Sequence, residues 1–242
     1  MKNYNILYSA LFTVLTFSLE IGALNCQTRL RNSKIEPQSI FKFGCIAGPL
    51  LSQLDGDGHT GYNKLGIYAG LKGEALLSNS FFIEVDLTFS SLGSKIPQEL
   101  PNSRIVENKR IVRMNFVEVP LLINYKLPHK TYPLNLEIGM GLKQLIHYSV
   151  EEDAFSARLK SFASLESEIN KRNFSGIVGI ERFYKDFTIG VRATFAINYQ
   201  YYNKAYFDNL QQRKSVDNLV PLLRSYYISL VGSYTIFGKK IY

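Results

Sequence analysis

The sequence is poor in several residue types on which other architectures depend. Its 242 residues include no Trp, 3 His and 2 Cys. If the mature chain begins at Gln27, only Cys45 remains, and one cysteine cannot form an internal disulfide. The scaffold is then not built on disulfides. His59 and His129 fall in separate predicted loops, so we predict no metal site from them. No motif predicts a cofactor.

Long apolar runs are also missing beyond the N-terminus, while Tyr and Phe number 16 each. This composition favours strands over helices. The N-terminus differs, because Lys2 precedes an apolar stretch that ends near Ala23, and Glu20 interrupts it before the ~20 residues of a spanning helix. We predict a signal peptide over 1–26 and a periplasmic segment over 27–37. A retained membrane anchor is the less favoured alternative.

The net charge is +8, from 28 basic and 20 acidic residues. Such an excess suits an anionic surface, either lipopolysaccharide or a nucleic acid. The basic residues are scattered and form no cluster of the kind that nucleic-acid binding requires. We therefore expect no nucleic-acid partner, and the charges are expected to be largely solvated on strands and loops.

Polar and apolar residues alternate in successive segments between residues 38 and 242. Alternate residues of a strand point to opposite faces, so in 64–76 an apolar set containing Leu65, Ile67 and Leu71 opposes a polar set containing Lys64 and Lys72. Five more segments repeat this pattern: 81–90, 115–127, 134–148, 187–201 and 225–237. Two weaker segments, 38–51 and 172–184, bring the total to about eight. The sequence predicts an all-β fold, a single antiparallel up-and-down transmembrane β-barrel over 38–242.

The predicted connections alternate in length. Residues 78–80, 128–133 and 185–186 form short connections, whereas 52–61, 96–109, 150–171 and 204–221 form long ones. Outer-membrane barrels have short periplasmic turns and longer outer loops, so both chain ends are expected in the periplasm. A soluble periplasmic ligand-binding barrel is the alternative, and it would place its apolar set inside.

A lipid-facing apolar set would leave a nearly balanced set of charges in the lumen, five basic and six acidic. These residues are Lys64, Lys72, Glu74, Glu84, Asp86, Glu118, Lys126, Glu137, Lys143, Glu181 and Arg192. Ion pairs among them would close an eight-stranded barrel, whose interior is narrow enough for side chains to fill. We expect a plugged scaffold and not an open pore.

Three local motifs are weaker. Asp55-Gly56-Asp57-Gly58 begins like a calcium loop but lacks the later ligands, and a solvated outer loop is favoured. His147 and Ser149, followed by Glu151 and Glu152, faintly resemble the His-x-Ser of outer-membrane lipid A deacylases, although our register places both in the lumen. The spacing of Leu159, Phe162, Leu165 and Ile169 allows a short helix within 156–170 that caps the barrel or contacts a partner, although ordinary loop packing is the favoured expectation. No catalytic residue is assigned, and a non-enzymatic protein is expected.

Three stretches resemble the PorT-like outer-membrane β-barrel proteins of Bacteroidota: 66–95, 115–127 and 134–146. The strand Val117-Glu118-Val119-Pro120-Leu121-Leu122 and Asp86-Leu87-Thr88-Phe89 before Gly93 carry the resemblance, although the family more often has other residues at Asp86, Phe89 and Leu92. The resemblance implies an eight-stranded outer-membrane barrel without catalytic residues, and a link to type IX secretion. The expected partners are outer-membrane lipid and lipopolysaccharide and an envelope or secretion-system protein.

Overall fold

A computed structural model shows the chain as a closed antiparallel β-barrel. The structure describes residues 41–57, 61–78, 80–96, 110–127, 134–152, 162–184, 186–212 and 220–238. The strands are β1 (Phe41–Asp55), β2 (Lys64–Leu76), β3 (Phe81–Ile96), β4 (Arg110–Lys126), β5 (Leu134–Glu152), β6 (Arg172–Tyr184), β7 (Phe187–Ala196), β8 (Tyr201–Tyr202) and β9 (Leu222–Phe237). The described residues also include a 3-10 turn at Phe162–Leu165 and a helix, α1, at Lys204–Gln211.

Eight long strands pair in sequence order, and β1 closes the barrel against β9. The short β8 pairs only with the start of β9. The expectation of about eight antiparallel strands is confirmed, and the two weak segments are β1 and β6. Among the described residues, no helix has the length and apolar character needed to cross a membrane.

The connections alternate in length as expected. The connections at one end, 77–80, 127–133 and 185–186, are short, whereas the connections at the other end, 56–63, 97–109, 153–171 and 197–221, are longer. We call the end with the long connections the outer end and the end with the short connections the inner end. The predicted signal peptide and periplasmic segment, 1–37, lie outside the described residues.

Side chains alternate between the barrel interior and its outer surface along each strand. In β3 the buried side chains are those of even-numbered residues from Phe82 to Ser94, and in β7 those from Thr188 to Ala196. All eleven charged residues expected in the lumen belong to the inward sets, and nine of them have less than a tenth of their surface exposed. The predicted facing of these charged residues is confirmed.

A bulge in β5 reverses the facing of its outer part. Asn115 pairs with His147 while Phe116 pairs with Leu145, so Ile146 is an extra residue in β5. Leu145 and Tyr148 point inward, and His147 is exposed on the outer surface. The prediction that His147 and Ser149 face the lumen is wrong, because an inserted residue shifts the two-residue period by one position.

The end of β7 departs from the prediction in a second place. Regular alternation was expected to continue through 201, with Tyr201 on the apolar surface, but β7 ends at Ala196 and Tyr201 is buried inside. A turn at 197–200 breaks the strand, and the chain resumes as β8. The helix α1 in the following connection was not predicted.

The apolar core lies at the outer end of the barrel. It contains Ile46, Leu50, Leu54, Tyr68, Leu92, Val112, Met114, Phe116, Leu145, Tyr148, Phe162, Leu165, Ile169, Tyr201, Val220, Leu223, Tyr227 and Val231. Phe162, Leu165 and Ile169 enter this core from the connection between β5 and β6, where they form a cap on the barrel. The cap was the less favoured expectation for this stretch. The described part of the connection contains a 3-10 turn, and Leu159 lies outside the described residues.

Candidate functional site

The outer surface of the strands is apolar. Leu65, Ile138 and Met140 expose 70, 63 and 57% of their surface. Aromatic side chains are exposed at both margins, with Phe81 against Tyr125 (ring centroids 4.9 Å apart) near the inner end. An apolar band between aromatic girdles, around a charged interior, is the arrangement of a membrane barrel. A soluble barrel would have its apolar side chains inside and its charged side chains outside, so the apolar set of this barrel faces lipid.

Arg192 of β7 is the centre of the largest interior charge cluster. Its Nη1 donates to Asp86 Oδ2 (2.8 Å), and its Nε donates to Glu137 Oε2 (2.7 Å). Nη2 donates to Glu181 Oε1 (2.9 Å) and Glu137 Oε1 (3.0 Å), and it also contacts Glu84. A planar guanidinium with five N–H groups suits several carboxylates at once. One side chain thereby links β3, β5, β6 and β7 across the lumen.

Lys72 of β2 is the second cation of this cluster. Its Nζ lies 2.9 Å from Glu181, 3.0 Å from Glu84 and 3.2 Å from Glu74. Glu74 also lies 3.5 Å from Lys42 of β1. The cluster therefore extends from β7 around to β1, and its ion pairs cross the lumen.

The oxygen atoms of Glu84, Glu137 and Glu181 lie within 4.8 Å of one another, close enough to hold a cation. The Nη2 of Arg192 contacts all three of these carboxylates. The three carboxylates therefore bind the guanidinium of Arg192, and we assign no metal to them.

A smaller cluster surrounds Glu118 of β4. The carboxylate accepts hydrogen bonds from Ser90 Oγ (2.6 Å) and from the hydroxyl of Tyr227 (2.7 Å). Lys143 Nζ lies 3.3 Å from Glu118 and 4.3 Å from the centroid of the Tyr227 ring. This cluster balances one carboxylate with one ammonium. It lies between the Arg192 cluster and the apolar core, to which Tyr227 also belongs.

Polar contacts close the outer end above the apolar core. The guanidinium of Arg110 stacks on the Phe162 ring (Cζ 4.0 Å from the centroid) and donates to the backbone oxygen of Asp57. The hydroxyl of Tyr148 donates to the backbone oxygen of Phe162 (2.8 Å). Lys64 Nζ donates to the backbone oxygen of Leu92 (2.8 Å). The cap is thus attached to β4 and β5.

The residues singled out in the sequence do not form a second site. His147 and Ser149 lie on the outward side of β5, and no hydrogen bond joins them in the described structure. Glu151 forms an ion pair with Arg113. Of the calcium-like stretch, Asp55 is exposed and Asp57 is buried, whereas Gly58, His59 and His129 lie outside the described residues.

Sequence reasoning identified the charged residues of the lumen but not how they pair to form the Arg192 and Glu118 clusters. Nothing in the alternation indicates that Arg192 contacts four carboxylates, because this depends on how eight strands close. The role of Tyr227 was missed for the same reason. Arg192 is nevertheless the only arginine in the predicted lumen set, and the planar fork of an arginine is a signal that could have identified the hub.

Residues 41–200 match the family model described as outer membrane protein beta-barrel domain. No curated protein matches the chain. Two similar solved structures are Ail, the attachment invasion locus protein of Yersinia pestis, and the outer membrane protein OprG of Pseudomonas aeruginosa. Ail is 10% identical over 81% of this chain and 98% of its own, with a TM-score of 0.41. OprG is 8% identical over 84% of this chain and 98% of its own, with a TM-score of 0.41.

Proposed function

The chain belongs to the outer membrane protein beta-barrel domain family, and from this we propose that it is a closed, non-enzymatic scaffold of the outer membrane. In this proposal the barrel holds the outer loops at the surface, where they bind lipopolysaccharide or an envelope protein. The N-terminal signal peptide is removed on export.

The single observation that carries the proposal is the filled lumen. The Arg192 cluster, the Glu118 cluster and the apolar core succeed one another from the inner to the outer end of the barrel. The side chains of Arg192, Glu118 and Phe116 are at most 2% exposed. A barrel filled in this way supports a structural or binding role in place of diffusion of solutes.

Cross-linking at the two ends tests the proposal. A photoreactive residue at Tyr62, exposed in the first outer loop, and one at Leu77, exposed at an inner turn, serve as matched probes. We expect discrete adducts with lipopolysaccharide or an envelope protein at one or both positions, under conditions where the barrel band remains heat-modifiable. A heat-modifiable barrel without any specific adduct at either end would contradict the binding role.

A lipid-modifying enzyme is a second candidate because His147 and Ser149 face outward, toward lipid. The two side chains lack the hydrogen bond by which a histidine activates a serine, and Glu151 is engaged by Arg113. We propose that this pair has no catalytic role. The test compares the acyl chains of lipid A in cells making the natural protein and its Ser149→Ala variant. Identical acylation is expected, and loss of a deacylated species in the variant would establish the enzyme.

We further propose that the protein belongs to the PorT-like branch and acts in type IX secretion. The strand 117–122 supports this, since Glu118 is the acidic residue of that pattern and anchors the Glu118 cluster. Deletion of the chain is expected to retain type IX cargo inside the cell, and restoring the natural chain should release it. An unchanged secretome in the deletion strain would contradict the link and leave the scaffold proposal standing.

A further inference from the structure

An aromatic surface stands on the outer rim of the barrel beside β7. Its members, which we call the rim platform, are Tyr199, Tyr202, Tyr206, Phe207 and Leu210. The ring of Tyr202 lies 5.6 Å from that of Tyr199 and stacks on Phe207 at 4.9 Å, with an interplanar angle of 7°. Tyr202 and Leu210 expose 52 and 53% of their surface. The platform is thus ordered by its own contacts and open on its outer side.

Buried polar groups fix the platform to the barrel. The fully buried Gln200 donates to Ser225 Oγ (2.6 Å) and accepts from the backbone N–H of Ser225 (3.0 Å). Asn203 caps helix α1, because its side chain accepts from the backbone N–H of Tyr206 (3.1 Å). The exposed aromatic groups therefore project from a rigid base.

Basic side chains flank the platform on both neighbouring strands. The guanidinium of Arg224 in β9 lies over the Tyr199 ring (Cζ 4.5 Å from the centroid). Its Nη2 donates to the backbone oxygen of Ile197 at 3.3 Å and its Nη1 to the hydroxyl of Tyr226 at 3.4 Å. These long contacts use two of five N–H groups, so donors remain for an anion. Arg172 in β6 is exposed, and its backbone oxygen accepts from Asn198.

Charges of both signs lie in the described segments beside the platform. The basic residues are Lys171, Arg172, Lys204 and Arg224, and the acidic residues are Glu166 and Glu168 before β6, Asp55, the register partner of Arg224, and Asp208 in α1. The case for an anionic occupant therefore rests on the arginine donors and not on an excess of charge. Arg172 in β6 and Arg224 in β9 belong to the two strands that border β7, and a guanidinium matches phosphate better than an ammonium because it can donate two parallel hydrogen bonds.

The platform continues the lipid-facing surface. Phe195 and Ile197 are exposed on the same side of β7 and its extension as Tyr199. Tyrosines that follow an apolar band occupy the interface between acyl chains and headgroups. Resting on the outer-membrane location in the proposed function, we propose that the rim platform lies at headgroup level in the outer leaflet. There Arg172 and Arg224 bind the phosphates of a phosphorylated glycolipid, the lipid A part of lipopolysaccharide.

The depth of the platform is testable because the chain contains no Trp. A single tryptophan is introduced as Leu210→Trp on the platform, and as Tyr62→Trp in the first outer loop as the control. In liposomes that contain brominated lipids, we expect quenching of the platform tryptophan at least twice that of the control. Equal weak quenching at both positions would overturn the proposal and leave the platform free for a protein partner.

Phosphate recognition is tested with lipid A and with lipid A stripped of its phosphates, bound to the detergent-solubilised full chain and counted by native mass spectrometry. The variant Arg172→Gln/Arg224→Gln is compared with Arg182→Gln, whose guanidinium lies 4.7 Å from the Tyr184 ring at the inner end. We expect lipid A binding to weaken about fivefold per removed outer charge, roughly 25-fold for both, and to be unchanged in the control.

The outcomes separate this site from the scaffold proposal. Equal loss in the Arg182→Gln variant, or equal binding of the phosphate-free lipid, would overturn the phosphate site. Neither result affects the heat-modifiable gel shift that reports the closed barrel. Conversely, loss of that shift in the natural chain would overturn the scaffold proposal before any lipid is added.

Discussion

Replacing Arg192 by Met is predicted to be among the most damaging single changes inside the barrel. Methionine retains the apolar part of the side chain but leaves Glu84, Asp86, Glu137 and Glu181 without the guanidinium that all four contact. Removing one partner of a buried ion pair costs about 3–5 kcal/mol, because an uncompensated charge stays in a low-dielectric site. We expect a loss of this size in the free energy of unfolding.

The assay is urea unfolding of the liposome-inserted barrel, followed by the shift between folded and unfolded bands on an unheated gel. With an m-value of about 2 kcal/mol/M, the midpoint should fall by roughly 1.5–2.5 M. Arg182→Met is the control, since Arg182 is partly exposed at the inner end, and it should shift the midpoint by less than about 0.5 M.

A rescue variant distinguishes lost charge pairing from lost packing. Adding Glu137→Gln and Glu181→Gln to Arg192→Met removes two of the stranded charges, so stability should partly return. An Arg192→Met barrel that unfolds at the midpoint of the natural chain would refute the reasoning. A rescue variant that is less stable than Arg192→Met alone would also refute it, because neutralising carboxylates that have lost their partner should raise the stability.

Three further perturbations follow from the same structure. Ile138→Arg should cost about 2–4 kcal/mol if residue 138 is near mid-bilayer, whereas Ile138→Ala should cost far less, as measured by the folded fraction in liposomes. Phe162→Ala should lower stability by about 3 kcal/mol in urea unfolding yet open no conductance, because the Arg192 cluster still closes the lumen. Gly93→Ala should destabilise by ~1–3 kcal/mol, since Gly93 has φ 147° and its added Cβ would lie 1.9 Å from a backbone oxygen. Gly73→Ala, whose Cβ would meet nothing nearer than 3.5 Å, is the control and should unfold like the natural chain.

The fold was largely predictable because one face of each strand is apolar and the period of two is unambiguous. Ile83, Val85 and Leu87 against Glu84 and Asp86 fix the facing of β3 whatever its neighbours are. The alternation of short and long connections then gives the topology. Such signals are local, so a single sequence carries them.

The interior site was predictable only in part. Alternation placed Arg192 and four carboxylates inside, but their pairing depends on how the strands stagger when the barrel closes. The bulge at Ile146 was not predictable, since no Gly or Pro marks it, and it reversed the facing of His147. The cap and helix α1 lie in long connections, where no periodic pattern applies.

The measurement that tests the closed scaffold most directly is the conductance of the purified barrel in a planar lipid bilayer, with its insertion verified by the heat-dependent gel shift. The account predicts no stable current steps from the natural chain under applied voltage, because paired charges and the apolar core fill the lumen. Steady ohmic steps that scale with salt concentration would contradict it, and would mean that a water-filled path runs past Arg192.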